Sequence, residues 1–262
     1  MELIAPGHHL YTGPDGTWRS CDPQERFARL SGPADLLERM RDQAYAGGAD
    51  PELEPLAAVL RERGVLTSAR REPVRRITVR VTGEGPVAAE TARLFEAVPD
   101  VAVVRHEPTE TGSGTGTGSE ADVVVACAGW LTDERWRRLD ASGTVWHRCH
   151  VEGTRLVLGP MTVPGATASY RDLRGRRLAA SPLPDELAAL WARLDDGAAG
   201  KVPLPPLRWP NAGAVCLAAG LLVNDVLTWR DTGLPATGSF QLVVDPATGT
   251  VDRHPVLPLP VA

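Results

Sequence analysis

The stretch Ile77-Thr-Val-Arg-Val-Thr-Gly-Glu-Gly-Pro-Val-Ala88 decides the fold of this chain. Residues 77–81 are predicted to form a strand, and a glycine-rich turn leads from that strand into a helix. The pattern continues downstream, with strands predicted at 101–104, 122–126, 144–149 and 155–158 and a helix at 132–139. This order of strands and helices predicts an α/β domain with a doubly wound, mostly parallel sheet.

The turn Gly83-x-Gly85-x-x-Ala88 stands between a strand and a helix, where a nucleotide-binding turn would stand. Glycines at such a turn let backbone N–H groups approach a phosphate at the N-terminus of the helix. Here Pro86 removes one of those donors, and Glu84 places a negative charge beside the expected phosphate. We therefore expect a tight turn that no longer binds ATP, and we expect the chain to need no cofactor.

Residues 1–72 are predicted to form a separate winged-helix-like module, followed by the α/β domain over 73–262. A hairpin over 10–21 is predicted to turn at Asp15-Gly16, and residues 25–30 alternate polar and apolar side chains as a third strand does. Two helices follow, each begun by a capping residue and a proline.

The third strand of this module is predicted to lie at a sheet edge, with the second helix beside it. An extended peptide can add to such an edge as a further strand and place its apolar side chains in the adjoining groove. The residues predicted to form this peptide-binding groove are Arg26, Phe27, Ala28, Arg29, Leu30, Leu56, Val59, Leu60 and Arg63. The alternative is that the edge packs against the second domain.

Charge and composition narrow the function. The module holds nine arginines and no lysine against twelve acidic residues, a balance of −3, and the whole chain has a formal charge of −5. Binding to a duplex depends on neutralising phosphates, so this balance argues against nucleic acid as a partner. No run of eighteen apolar residues and no N-terminal signal pattern occurs, so we expect a cytoplasmic protein without a membrane partner.

A cluster of metal-binding residue types lies in Trp146-His-Arg-Cys-His150. On a strand His147 and Cys149 share one face while His150 points to the other. Zinc needs four ligands, and no second ligand pair lies nearby in the sequence. We predict a packed strand end here, not a metal site and not a catalytic Cys–His pair.

Residues 159–177 resemble the Gly-Pro, Pro-Gly, Cys-x-x-Cys, Arg-Arg segment of ThiF-like proteins, which share the fold of ubiquitin-type activating enzymes. The matching residues are Gly159-Pro160, Pro164-Gly165, Tyr170, Arg176-Arg177, Thr232–Pro235, Gly238–Arg253 and His254-Pro255. The resemblance implies a structural zinc held by this Cys pair and a second pair near the C-terminus. Ser169 and Asp172 stand at the first pair's positions, so no metal is expected.

The order of these segments resembles that of ThiF-like leader-peptide-binding proteins, the cyclodehydratase partners of thiazole/oxazole-modified ribosomal-peptide pathways. The resemblance implies a non-catalytic scaffold that binds the leader of a precursor peptide and presents its core to a YcaO-type, ATP-dependent cyclodehydratase. It leaves a homodimer open. Two alternatives compete: a ThiF-like enzyme that adenylates a peptide or carrier C-terminus, and a winged-helix DNA-binding regulator.

Overall fold

The computed structural model describes residues 2–46, 50–68, 74–106 and 121–259. The chain separates into two compact units, Met1–Val74 and Arg75–Ala262. Each unit has its own hydrophobic core.

The first unit combines short strands with two helices. Its elements are β1 (Glu2–Ile4), β2 (His9–Thr12), β3 (Trp18–Cys21), β4 (Phe27–Arg29), α1 (Ala34–Ala46), a 3-10 turn (Pro51–Leu53), α2 (Glu54–Glu62) and β5 (Leu66–Ser68). The predicted hairpin is β2–β3, and both predicted helices are present. Strands β2, β3 and β4 form an antiparallel sheet in that order, and β1 pairs with β5.

The core of the first unit lies between this sheet and the helices. Trp18 and Leu30 from the sheet, Met40 from α1 and Leu60 from α2 are all buried in one cluster. Asp50 begins the second helical segment as predicted, since its side chain accepts a hydrogen bond from the Glu52 N–H. The winged-helix class of this unit remains a prediction.

The second unit is a seven-stranded sheet with helices on both faces. Its elements are β6 (Ile77–Thr82), α3 (Pro86–Glu96), β7 (Val101–His106), β8 (Val123–Ala128), α4 (Asp133–Ala141), β9 (Trp146–Glu152), β10 (Arg155–Leu158), α5 (Tyr170–Ala180), α6 (Pro184–Ala198), α7 (Ala212–Thr232), β11 (Phe240–Val244) and β12 (Val251–Pro255). The strand order is β12-β11-β10-β9-β8-β6-β7.

The sheet is mostly parallel, as predicted. β7, β6, β8 and β9 are parallel neighbours. β10, β11 and β12 are each antiparallel to the strand before them in the sheet, so β11 again runs with β9. Five of the seven strands therefore share one direction. Helices α3 and α7 cover one face and α4, α5 and α6 the other, which is the predicted doubly wound arrangement.

Helix α7 is long and apolar enough to cross a membrane by length and composition alone. Half of its most apolar window is buried inside the unit. Its residues Leu222 and Val226 are fully buried in the core that it shares with α3 and the sheet. The helix is thus accounted for as a core element.

Candidate functional site

Strand β4 lies at the edge of its sheet and, within the described residues, pairs only with β3. The Leu30 N–H donates to the Trp18 carbonyl at 2.8 Å. Hydrogen-bonded and non-hydrogen-bonded pairs alternate along an antiparallel ladder. Leu30 directs its N–H toward β3, and Phe27 and Arg29 lie three and one residues before it. Their backbone N–H and C=O groups therefore point away from β3. No backbone hydrogen bond from another described residue engages these groups, so a further strand can pair with them.

The side chains of β4 divide between the surface and the core. The side chain of Phe27 is 64% exposed, and those of Ala28 and Arg29 are exposed too. Leu30 is buried in the core cluster. Because side chains alternate along a strand, Phe27 and Arg29 share the outward face. The predicted strand residues thus form an exposed edge with an aromatic and a basic side chain, supported from beneath by Leu30.

A hairpin carboxylate holds two arginines beside this edge. Asp15 Oδ2 lies 2.8 Å from Arg29 Nη2 and 3.1 Å from Arg19 Nη2. Arg29 Nε also donates to Thr17 Oγ1 at 3.2 Å. Asp15, Arg19 and Arg29 line a cavity of 320 Å³ together with Phe27 and Ala28. Sequence reasoning had named Asp15 only as a turn residue and had not singled out Arg19 at all.

The predicted helix residues lie at different depths. Leu60 is completely buried and Leu56 half-buried, whereas Val59 and Arg63 are exposed. The helix packs on β5 and on the 3-10 turn that precedes it. Leu60 therefore supports the unit from within, and of the four predicted helix residues Val59 and Arg63 lie at the surface. On the strand side, Arg26 is exposed and pairs with Asp22 at 2.6 Å.

The glycine turn between β6 and α3 is closed by packing. Gly83 and Gly85 have φ values of 109° and 92°, which disfavour any other residue. A Cβ on Gly83 would overlap the carbonyl of Cys127, and one on Gly85 would overlap the indole of Trp209. Ala88 is buried in the core. The indole thus lies against the backbone at which a phosphate would approach such a turn.

Trp209 belongs to a proline-rich segment, residues 202–210, that we call the strap. Leu207 of the strap covers Gly129. Leu204 covers Gly197 near the end of α6 in the same way. Only glycine leaves room for these three side chains. The proline-rich composition of the strap gives no sign that Trp209 returns to the glycine turn.

The side chains of the His/Cys cluster are all buried in β9. His147 Nε2 lies 2.9 Å from Asp225 Oδ2 on α7. Burial raises the pKa of the Cys149 thiol, so it stays neutral. His150 packs against the ring of Trp136 on the opposite face, with centroids 4.8 Å apart, and burial lowers its pKa. Among the residues described, no three His, Cys, Asp or Glu side chains come together as metal ligands.

Ser169 and Asp172 begin α5 as a reciprocal capping box. Asp172 Oδ2 accepts hydrogen bonds from the Ser169 N–H at 2.8 Å and from its hydroxyl at 2.7 Å, and Oδ1 accepts from the Leu259 N–H at 2.7 Å. Arg176 donates to the carbonyls of Leu257 and Pro258. A hydroxyl and a carboxylate already engaged in this way do not fit the thiolate chemistry of a structural zinc.

No family model and no curated protein matches the chain. Solved structures do. A heterocyclase in complex with substrate and cofactor has a TM-score of 0.68 at 14% identity, covering 98% of this chain and 38% of its own. The heterocyclase TruD has a TM-score of 0.66 at 14% identity, covering 98% and 41%.

Escherichia coli MccB, solved with ATP, is similar over a larger share of its own length. Its TM-score is 0.59 at 12% identity, covering 99% of this chain and 98% of MccB. The chain therefore spans about two fifths of the heterocyclases and nearly all of MccB. At these identities the likeness establishes a shared fold, consistent with the ThiF-like fold predicted from the sequence.

Proposed function

We propose that this chain is a non-catalytic, cytoplasmic scaffold that binds the leader of a ribosomally made precursor peptide. The leader adds as a strand to β4, and the scaffold presents the core of the peptide to a YcaO-type, ATP-dependent cyclodehydratase. The observation that carries the proposal is the free edge at Phe27 and Arg29. Such an edge supplies main-chain hydrogen bonds, while neighbouring side chains supply specificity.

The names of the similar structures support a role in peptide modification. One is a heterocyclase with its substrate, and MccB was solved with AMPCPP and MccA. We extend that context to this chain as part of the proposal. The catalytic chemistry then belongs to the partner enzyme, which activates a backbone amide with ATP so that a Cys, Ser or Thr side chain can cyclise onto it.

The second candidate is an enzyme that adenylates a peptide or carrier C-terminus. It is favoured by the likeness to MccB with ATP across 98% of the MccB chain. The position of Trp209 opposes it, because the indole covers Gly85 where backbone N–H groups would otherwise meet a phosphate. Exchange of pyrophosphate into ATP, measured with and without peptide, separates the two. Exchange above background would replace the scaffold with the enzyme.

Fluorescence anisotropy tests the scaffold directly. The probe is the fluorescein-labelled leader of a precursor peptide encoded beside this chain's gene, with a scrambled leader as its control. We expect saturable binding of the native leader that Phe27→Ala weakens. Tyr45→Ala is the matched control, since Tyr45 is a 60%-exposed aromatic on α1 of the same unit. Equal binding of both leaders would contradict the proposal.

Backbone methylation of the peptide tests the strand geometry. In a strand added to β4, only every second peptide N–H faces the edge. N-methyl groups placed singly along the leader should therefore weaken binding at alternate positions, by about tenfold for one lost hydrogen bond of the stronger kind. A uniform effect of methylation, or none at any position, would rule out addition to a sheet edge.

A further inference from the structure

The Arg29 end of the β4 edge is basic although its unit is acidic. Residues 1–72 carry nine arginines against twelve acidic residues, yet Arg19, Arg26 and Arg29 all lie on or beside this edge. Arg26 is paired with Asp22. Arg19 and Arg29 share the single carboxylate of Asp15. The Asp15 cluster therefore keeps one positive charge in excess.

The two arginines of this cluster, Arg19 and Arg29, form what we call the arginine pair. Hydrogen bonds from the Thr17 side chain and N–H lower the pKa of Asp15, so the carboxylate stays charged. Arg19 is packed over Gly13, where a Cβ would overlap its guanidinium. Each guanidinium has five N–H donors, and the contacts just named occupy only part of them. The pair is thus held in position before any ligand arrives, which lowers the entropic cost of binding.

Charge changes sign along the strand. The arginine pair lies at the Arg29 end, whereas Asp22 and Glu25 lie at the turn before Phe27. Phe27 and Arg29 are two residues apart on the outward face, so a paired strand meets both with two of its own side chains, also two residues apart. The cavity of 320 Å³ opens between them.

Resting on the proposed function, we propose that this edge selects an extended peptide by an acidic and an apolar side chain separated by one residue. The Asp or Glu carboxylate binds the arginine pair, and the apolar side chain covers Phe27. The order of the two along the peptide follows from the strand direction: acid first in an antiparallel strand, apolar first in a parallel one. At the other end Asp22 is already paired with Arg26 and Glu25 adds a negative charge, so a carboxylate there would be repelled.

The test uses the full chain and the fluorescein-labelled leader described above. Each Asp and Glu of the leader is changed in turn to its amide, which leaves the protein untouched. We expect one position to lose affinity by at least about tenfold, the size expected for a hydrogen-bonded charge pair. That position should stand two positions from an apolar residue, with one residue between them, whose change to alanine also weakens binding.

The protein side is tested with Arg29→Gln. Arg39→Gln is the matched control, because Arg39 is an exposed, ion-paired arginine on α1 of the same unit that lies outside the predicted groove and does not line the cavity. We expect Arg29→Gln to weaken binding of the native leader about tenfold and to have little effect on the leader whose critical acid is amidated. Arg39→Gln should change the affinity for neither leader. Circular dichroism checks that both variants fold.

The outcomes of these tests distinguish selection by charge from the proposed leader-binding scaffold. Leader binding that is insensitive to every amide change, or equally sensitive to Arg39→Gln and Arg29→Gln, overturns the selection by charge and leaves the scaffold standing. Two critical residues at any other spacing also overturn it. Absence of saturable binding to the native leader overturns the scaffold itself.

Discussion

Gly85 and Trp209 are 124 positions apart in the sequence but lie in contact, and the indole fills the space that a side chain on the glycine would need. The contact fixes the strap to the N-terminus of α3, whose first residue is Pro86. It places an apolar ring where the binding of a phosphate would need exposed backbone N–H groups. The glycine is required here by packing and backbone geometry, without any need for a ligand.

Gly85→Ala should destabilise the second unit strongly. With φ 92° and ψ 178° the residue lies in a region almost confined to glycine, which costs about 1–3 kcal/mol for alanine. Displacing the indole adds about 1–3 kcal/mol. Urea unfolding measures the sum. Gly143→Ala is the control, since its φ is also positive at 72° but no atom lies within 4 Å of the added Cβ.

The steric part of that cost should depend on Trp209. In a Trp209→Ala background, Gly85→Ala should lose its packing penalty and keep only the backbone penalty. If the losses in unfolding free energy of the two single variants simply add in the double variant, as they do for distant residues, the indole does not contact this glycine closely.

Asp172→Asn should reduce stability in a pH-dependent way. Partial burial raises the pKa of Asp172, but hydrogen bonds from Leu259 and Ser169 outweigh it and lower the pKa below 3.8. A lowered carboxyl pKa stabilises the fold above its unfolded value, and that stabilisation is lost as the pH falls through the folded value. The variant should therefore be about 1 kcal/mol less stable at pH 7.

Unfolding free energies at pH 7, 5 and 3 test this sign. The difference between wild type and Asp172→Asn should be similar at pH 7 and 5 and should shrink at pH 3. A difference that grows on acidification would contradict the hydrogen-bond assignment. Ser169→Ala serves as a companion, because it removes the capping hydroxyl but keeps the carboxylate and its bond to Leu259.

Arg148 should tolerate methionine better than lysine. It is fully buried. Its guanidinium carbon lies 4.8 Å from the ring centroid of Tyr170 and within 5.7 Å of those of Trp136 and Trp146. Its guanidinium nitrogens make no hydrogen bond to a described residue. Burial lowers its pKa to about 10. Desolvation of the charge opposes cation–π attraction of about 2 kcal/mol or more, so Arg148→Met should stay within about 1 kcal/mol of wild type.

Lysine at this position should be worse than methionine, since its ammonium is more strongly hydrated and does not stack. Guanidinium chloride unfolding of Arg148→Met and Arg148→Lys compares the two. A methionine variant less stable than the lysine variant would mean that the positive charge itself holds the aromatic cluster together.

Phe27→Ala should leave the first unit as stable as wild type. The side chain is 64% exposed, and surface changes of this kind usually stay within about 0.5 kcal/mol. Leu60→Ala, by contrast, should cost about 2–5 kcal/mol because Leu60 is completely buried. Thermal melts of the two variants test this. A large loss for Phe27→Ala would mean that the ring stabilises the fold and does not serve as a free contact surface.

Local patterns were sufficient for the elements that form the exposed edge. The Asp15-Gly16 turn predicted the β2–β3 hairpin, and alternation over 25–30 predicted β4. They did not separate Leu60 from Val59, because the apolar stripe of α2 is wider than its buried face. Burial within that stripe is decided by the helix's neighbours, which a local pattern does not contain.

Contacts between distant segments were not predictable in this way. Helix α5 was missed because arginines dominate it and only Tyr170 and Leu173 are buried, so no clear apolar stripe marks it. Strands β1 and β5 are short and pair across most of the first unit. Trp209 reaches Gly85 through a strap whose course depends on three glycines elsewhere in the chain. In each case the conformation of the segment is determined by the distant segment that it packs against, and not by its own sequence.

The unpaired groups of β4 carry one last consequence, for how the protein behaves in concentrated solution. Hydrogen-bond donors and acceptors on a strand edge do not distinguish a peptide from the same strand of a second copy. In an antiparallel pairing that sets Phe27 of one copy opposite Phe27 of the other, each Arg29 would lie opposite Glu25, so the charges of the edge would not oppose the pairing. Apparent peptide affinity should accordingly fall as the protein concentration rises, because a second copy competes with the peptide for the same edge.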